Sequence, residues 1–118
     1  MKGLTKAEEQ IMQIIWKKEK CLVRDIIETL GDPDIPHSTV SSVVRILEKK
    51  GFVGHKAYGK THEYFPLISK NEYRKSHFGG MLKNYFDGKV ENLLSFMLRE
   101  KKLTKKELSE LKKFIDEQ

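Results

Sequence analysis

The sequence predicts a mainly α-helical fold with one small β-hairpin, divided into a winged helix-turn-helix domain at residues 1–67 and a C-terminal helical domain at residues 68–118. Three observations predict this fold. Three stretches with apolar residues at helical spacing precede Gly51, and two short strand-like runs flank residues 58–60. After residue 67, apolar residues recur at helical spacing only. Three helices followed at once by a hairpin is the order of elements in a winged helix-turn-helix domain.

The first helix is predicted from a start signal and an apolar stripe. Thr5 can cap the helix, and the side chain of Glu8, three residues later, can reach back to the amide of the cap residue. The apolar residues that follow lie on one helix face, which needs a partner surface. They are Ile11, Ile14, Ile15 and Trp16, with Met12 beside them.

Two further helices are predicted before the hairpin. The second has a short apolar stripe and ends before Gly31, and residues 32–36, which include two prolines, form a turn because they cannot continue a helix. The third begins near His37 or Ser38 and ends at Gly51. Its inward-facing residues are Val40, Val43, Val44 and Leu47.

The hairpin is predicted from strand-like runs at residues 52–57 and 61–67, with Tyr58-Gly59-Lys60 as the turn between them. Pro66 has no backbone N–H to donate, so it must lie on an edge strand or at the end of its own strand. The hairpin would form the wing of the domain.

The sequence after residue 67 predicts helices whose apolar faces need a partner surface. Ser69 with Glu72 and Thr104 with Glu107 form two more capping boxes. Gly79-Gly80 interrupts the first of these helices, which either bends there or admits a closely packed backbone. Because about fifty residues are too few to bury all these apolar stripes, we expect this part to be a dimerisation domain that forms a homodimer. The predicted dimerisation residues are Phe78, Met81, Leu82, Tyr85, Phe86, Val90, Leu93, Leu94, Met97, Leu98, Leu108, Leu111, Phe114 and Ile115.

Charge and cysteine content limit the class of protein. The 118-residue chain has a net charge of +6 at pH 7, which favours a polyanionic partner, nucleic acid before an anionic membrane surface. Cys21 is the only cysteine, so a disulfide within the chain is excluded, and we expect a buried, apolar role for it. No apolar run is long enough to span a bilayer, and residues 1–4 lead into a helix rather than a signal peptide. We therefore expect a cytoplasmic protein without membrane insertion.

The polar face of the third helix predicts contact with double-stranded DNA. Hydroxyl groups can hydrogen-bond bases or phosphates, and a threonine methyl group can contact that of thymine. Arg45 is the strongest candidate for reading guanine, because its planar fork matches two acceptors of that base. Lysines of the wing can contact phosphates, which position a protein without reading sequence. The predicted DNA-binding residues are His37, Ser38, Thr39, Ser41, Ser42, Arg45, Lys49, Lys56, Tyr58 and Lys60.

The sequence contains no catalytic signature: it lacks a glycine-rich phosphate loop, a paired-histidine metalloprotease motif and a nucleophile elbow. We therefore expect neither an enzyme nor a cofactor. A metal- or ligand-responsive regulator stays open as an alternative. If the turn centres on Tyr58 and Gly59, His55 and His62 lie opposite each other across the strands, although two ligands alone make a weak metal site. A protein-interaction module without a DNA role is the other alternative.

Taken together, these segments resemble the penicillinase-repressor (BlaI/MecI/CopY) family of bacterial transcriptional regulators over nearly the whole chain. The resemblance lies in their order and spacing. The segments are Leu4-Thr5-Lys6-Ala7-Glu8, Ile14-Ile15-Trp16, Ser38-Thr39-Val40, Leu47, Lys49-Lys50-Gly51-Phe52-Val53, His55-Lys56, Gly59-Lys60, Tyr64, Pro66-Leu67 and residues 103–111. The family often has lysine where Ser38 stands and arginine where Ile46 stands, and its copper-responsive branch has C-x-C motifs that this chain lacks.

The resemblance implies a function and a mode of regulation. It implies a homodimer that binds a palindromic operator and represses resistance genes, often for a β-lactamase or a related peptidoglycan-directed protein. It also implies that a membrane-bound metalloprotease sensor triggers cleavage within the dimerisation domain. The matching segment is Leu93-Leu94-Ser95-Phe96-Met97-Leu98, which makes the bond between Ser95 and Phe96 the candidate cleavage site.

Overall fold

The computed structural model describes residues 3–117 and contains six helices and one antiparallel hairpin in this range. The order of elements confirms the predicted winged helix followed by helices. The elements are α1 (Lys6–Lys18), α2 (Val23–Leu30), α3 (His37–Lys49), β1 (Val53–Tyr58), β2 (Thr61–Pro66), α4 (Lys70–Phe86), α5 (Val90–Arg99) and α6 (Lys105–Asp116). The chain forms two compact units that divide between Lys75 and Ser76, inside α4. The domain boundary at residue 67 stays a prediction, because compactness does not show which segment folds alone.

The predicted capping boxes and the end of α2 at Gly31 are confirmed, while α3 ends at Lys49, two residues before the predicted Gly51. The amide of Glu8 donates to Thr5 Oγ1 at 3.2 Å, and the amide of Thr5 donates to Glu8 Oε1 at 3.1 Å, which completes the capping box of α1. Equivalent reciprocal bonds begin α4 at Ser69 and α6 at Thr104. Gly31, at φ 71°, ends α2 in the left-handed conformation that glycine adopts without strain.

The core of the first unit lies where α1, α2, α3 and the hairpin meet. Its fully buried side chains include Met12, Ile15, Ile26, Val40, Val44, Leu47, Phe52 and Val53. Cys21 is also buried and forms a one-residue bridge with Tyr64 through backbone bonds of 3.0 and 2.7 Å. Burial, aided by the charge of Asp25, raises the pKa of the Cys21 thiol to about 11, so the thiol stays protonated at neutral pH. This agrees with the expected apolar role.

The start of α4 packs against this core. The indole Nε1 of Trp16 donates to the carbonyl of Ile68 at 2.8 Å. The buried ring of Tyr73 lies 5.6 Å from the ring of Trp16 and 5.7 Å from that of Phe52, between ring centroids. These contacts explain why the first unit extends to Lys75.

The hairpin register differs from the prediction. Tyr58 pairs with Thr61, so the turn consists of Gly59 and Lys60, and Tyr58, which was expected in the turn, is the last residue of β1. Of these two turn residues only Gly59 has a positive φ, which is the pattern of a type II′ turn with glycine first. Pro66 is the last residue of β2, as its missing donor requires. The turn does not centre on Tyr58 and Gly59, so the condition under which His55 and His62 would pair directly is not met.

The second unit contains no buried residue among those described. α5 and α6 bury none of their side chains, and the one buried residue of α4, Tyr73, belongs to the first unit. α4 continues through Gly79 and Gly80 without the expected interruption, and no closely packed backbone is present: apart from neighbouring residues of the helix itself, nothing in the described chain lies within 4 Å of a Cβ built at either glycine. No helix in residues 3–117 is long and apolar enough to cross a membrane.

We expect the free energy of unfolding to depend on an ion pair between α1 and the end of α3. Lys50 Nζ lies 2.5 Å from Oε1 of the buried Glu8, and this bond, opposed by burial, lowers the pKa of Glu8. A carboxyl group whose pKa is lower in the folded state stabilises the fold at pH values above its unfolded-state pKa. This stabilisation is lost as the pH falls through the folded-state pKa. Lys50→Met should cost about 1–3 kcal/mol at pH 7 and progressively less toward pH 3, by urea denaturation.

The matched control for this prediction is the exposed neighbour Lys49. Lys49→Met should change the free energy of unfolding by less than about 0.5 kcal/mol at either pH. A loss in Lys50→Met that is the same at pH 7 and pH 3 would show that the lysine stem, not the ion pair, stabilises this junction.

Candidate nucleic-acid interface

The third helix exposes one polar face because its apolar residues repeat at helical spacing. Val40, Val44 and Leu47 are buried, which confirms their predicted inward orientation, and Val43 is half-buried. Successive residues turn by about 100° around a helix, so the opposite face carries Ser38, Ser42, Arg45 and Lys49. These four residues are exposed. The helix therefore presents hydroxyl and cationic groups along one side.

The start of α3 is fixed by the backbone of the preceding turn. Pro36 is the N-cap residue at φ −65° and ψ 143°, without a side-chain cap bond, and His37 is the first helical residue. His37 Nδ1 lies 3.3 Å from the hydroxyl oxygen of Ser41 one turn later. His37, Ser41 and Arg45 form a stripe along the side of α3 that faces the wing, because residues four apart share a face.

A groove of about 380 Å³ lies between this stripe, the beginning of α2 and the wing. Its cationic side chains are Arg24 from α2, Arg45 from α3 and Lys60 from the turn of the hairpin. The imidazoles of His37 and His62 also line it, and no acidic residue does among those described. We call this feature the cationic groove.

The three cations of the groove are not neutralised by the protein. Within residues 3–117, neither Arg24 nor Arg45 nor Lys60 makes an ion pair or a side-chain hydrogen bond. The charge of Arg45 reaches one neighbouring group: burial, aided by the charge of Glu48, raises the pKa of Tyr64, while Arg45 opposes the increase. Uncompensated positive charge in a concave surface favours an anionic ligand.

The two faces of the wing have different surroundings. His55, His62 and Tyr64 share one face, where His55 Nδ1 lies 2.5 Å from Glu48 Oε2 near the end of α3. Lys56 lies on the other face, with Nζ 5.3 Å from the ring centroid of Tyr58. The hydrogen bond to Glu48 ties the wing to α3 and leaves Lys56 and Tyr58 exposed.

His55 and His62 meet although they do not pair. His55 pairs with Tyr64 and His62 with Ala57, which places the imidazoles diagonally on one face, stacked at 4.3 Å between centroids with 11° between their planes. Among the described residues, no group of three or more histidine, cysteine, aspartate or glutamate side chains is placed to hold a metal ion. We therefore build no metal site on this pair.

The groove gathers part of the predicted DNA-binding set and adds residues that the sequence analysis missed. His37, Ser41, Arg45 and Lys60 line it. The other predicted residues are exposed outside it: Ser38, Thr39, Ser42, Lys49, Lys56 and Tyr58. The missed residues are Arg24 and Thr61; His62, which the sequence offered as one ligand of a weak metal site, also lines the groove. Arg24 could have been noticed in the sequence, because a cation in the first turn of a helix opposes the helix dipole and is therefore unfavourable for the helix itself.

The predicted dimerisation residues are half-buried or exposed in the described chain, and none is fully buried. The most exposed are Tyr85, at 78%, and Phe114 and Ile115, at 60% each. The half-buried ones are Met81, Leu82, Phe86, Leu93, Leu94, Met97, Leu98 and Leu108; Phe78, Val90 and Leu111 are exposed. Ser95 and Phe96 are exposed on α5, and the Phe96 ring packs edge-on against Phe86 at 5.6 Å.

The chain is similar to known proteins over nearly its whole length. The family model described as Penicillinase repressor matches residues 4–117. The chain is 24% identical to the methicillin resistance regulatory protein MecI of Staphylococcus aureus (strain N315) over 114 residues, which are 96% of this chain and 93% of that protein. It is also 24% identical to the penicillinase repressor of Bacillus licheniformis over 115 residues, 97% of this chain and 90% of that protein.

A solved structure matches the first part of the fold. The solution structure of the DNA binding domain of the repressor BlaI superposes with a TM-score of 0.52 at 27% sequence identity. The match covers 62% of this chain and 94% of that domain.

Proposed function

The chain belongs to the penicillinase repressor family, and from this premise we propose that it is a dimeric transcriptional repressor that binds a palindromic operator in double-stranded DNA. The observation that carries the proposal is the cationic groove, where Arg24, Arg45 and Lys60 converge without an acidic partner. It lies beside the polar face of α3, so phosphate contacts and base contacts are available on one side of the domain.

In this proposal α3 is the recognition helix and enters the major groove. The hydroxyls of Ser38 and Ser42 lie on the exposed face beside Arg45, within one stretch of helix. Arg45 is the proposed guanine reader, and the exposed Lys56 and Lys60 of the wing contact the phosphate backbone. The wing keeps its place because His55 bonds to Glu48 of α3.

The homodimer is supported by the exposed apolar residues of the second unit. α5 and α6 bury no side chain in the single chain, so a second copy is the simplest cover for their apolar residues. A two-fold dimer presents its recognition helices to successive major grooves, roughly 34 Å apart. Binding of one head raises the effective concentration of the other, so the dimer binds far more tightly than one head alone.

We also propose that repression controls resistance or cell-wall-stress genes in the cytoplasm and ends when a membrane-bound metalloprotease sensor cuts the chain. The names of the matched relatives support the gene class. The proposed cut lies between Ser95 and Phe96 in α5, and both residues are exposed in the single chain. Mass spectrometry after co-expression with the activated sensor tests the proposal, and a chain that stays intact would count against it.

The operator can be found with DNA from upstream of the gene for this protein. Footprinting should protect a palindrome whose half-sites lie one helical turn apart, and affinity should fall steeply with salt as phosphate contacts release counterions. Absence of binding to any duplex at low salt would overturn the proposed function. A zinc-dependent change in affinity would instead favour the metal-responsive alternative.

Two single substitutions should separate base reading from phosphate contact. Arg45→Ala should weaken operator binding by about 1–3 kcal/mol and leave non-specific binding nearly unchanged, because it removes a bidentate contact to a base. Lys56→Ala should weaken operator and non-specific DNA alike and lower the salt slope by about 1. Fluorescence anisotropy with operator and scrambled duplexes measures both quantities. If Arg45→Ala loses the same free energy of binding on both duplexes, Arg45 contacts the DNA backbone and not a base.

A further inference from the structure

The fold does not require an arginine at position 24. Arg24 is the second residue of α2, and its side chain is exposed and without an ion pair in the described chain. The next residue, Asp25, already serves the helix start by accepting the amide of Leu22 at 2.8 Å. A cation in this first turn opposes the helix dipole, so Arg24 makes the helix slightly less stable. A ligand outside the fold would account for it.

The surroundings of Arg24 select the chemistry of that ligand. Arg24 lines one wall of the cationic groove, and Lys60 and Thr61 of the wing line another. A guanidinium group, a lysine ammonium group and a threonine hydroxyl group can all donate hydrogen bonds, and the planar guanidinium fork matches two phosphate oxygens.

We propose that Arg24 binds a backbone phosphate of the DNA between α2 and the wing, and that this contact sets the depth and register of α3 in the major groove. The proposal rests on the proposed function and adds a residue outside the recognition helix and the wing to the DNA interface. Arg24 then acts as a positioning residue for Arg45, which lines the same groove. Phosphate contacts from both α2 and the wing restrict the orientation of α3 more than contacts from the wing alone.

Substitution of Arg24 should change DNA binding without regard to sequence. Arg24→Ala is expected to weaken operator and scrambled duplexes by the same factor, roughly 10-fold, and to lower the salt slope by about 1. Arg24→Lys should keep the salt slope and recover part of the affinity, because it retains the charge but not the fork. The matched control is Arg74→Ala on α4, an exposed arginine of the same unit outside the groove, which should behave as the unsubstituted protein.

A neutralised phosphate locates the contact. We would prepare operator duplexes that each carry a single methylphosphonate, at a different backbone position in each duplex. At one position the methylphosphonate should weaken DNA binding by the unsubstituted protein and by Arg74→Ala, but should cause no further loss of binding in Arg24→Ala. Additive losses at every position would overturn the phosphate contact, as would a loss in Arg24→Ala confined to the operator sequence. If the unsubstituted protein binds no duplex at all, the proposed function itself fails, which is a distinguishable result.

Discussion

A Phe114→Glu variant is expected to be monomeric at micromolar concentration and to bind a two-half-site operator at least about 10²-fold more weakly than the unsubstituted protein. Its affinity for a single half-site should be unchanged, because the winged-helix unit is not altered. Phe114 is 60% exposed on α6, so the new carboxylate costs the single chain little. In a dimer interface the same carboxylate would be buried without a partner, at a cost of several kcal/mol.

The size of this effect follows from the way two weak sites combine. One winged helix contacts a single half-site, and the linked second head binds as though present at roughly millimolar concentration. Loss of the dimer removes this linkage and leaves the DNA-contacting residues intact. Operator affinity should therefore fall while half-site affinity does not, a pattern that a merely unfolded variant would not give.

Sedimentation equilibrium together with anisotropy on one-site and two-site duplexes measures both predicted changes. Ser109→Glu is the matched control: it introduces the same acid on the same helix, on the side opposite Leu108, Leu111 and Phe114. It should remain dimeric with full operator affinity. A Phe114→Glu chain that stays dimeric would place the interface elsewhere and leave the exposed stripe of α6 without an assigned partner.

Local patterns in the sequence predicted the parts of the fold that depend on neighbouring residues. Thr5 and Glu8 predicted the start of α1, because a capping box needs only residues three apart. The inward face of α3 was predicted for the same reason, since Val40, Val44 and Leu47 repeat at helical spacing. No distant contact is needed for either result.

The hairpin register and the complete groove depend on tertiary contacts and were missed. Gly59 fits a two-residue turn as its first or its second residue, so the sequence leaves two registers open. The bridge between Cys21 and Tyr64 ties the observed register to the core, and that bridge joins distant segments. Arg24 was missed in the same way, because its place beside Arg45 depends on how α2 packs against α3.

Phe52→Ala is expected to reduce the free energy of unfolding by about 3–5 kcal/mol, which is most of the stability of a small domain. Phe52 is fully buried where α3 ends and the wing begins. Its amide donates to the carbonyl of Leu47 at 2.9 Å, and its carbonyl accepts from the amide of Leu67 at 2.8 Å. The ring packs edge-on against Tyr73, so its removal leaves a cavity beneath both the wing and the start of α4.

Urea denaturation followed by the fluorescence of Trp16, the only tryptophan, measures this loss within the affected unit. Tyr58→Ala removes an aromatic ring that is 54% exposed on the same hairpin, and should cost less than about 0.5 kcal/mol. Equal midpoints for the two variants would contradict the assignment of Phe52 to the core. Phe52 makes no hydrogen bond to a residue of the cationic groove, so Phe52→Ala should lose DNA affinity only in proportion to the fraction of the variant that is unfolded. Tyr58→Ala should remain folded, so any loss of DNA affinity in this variant reports on the wing itself.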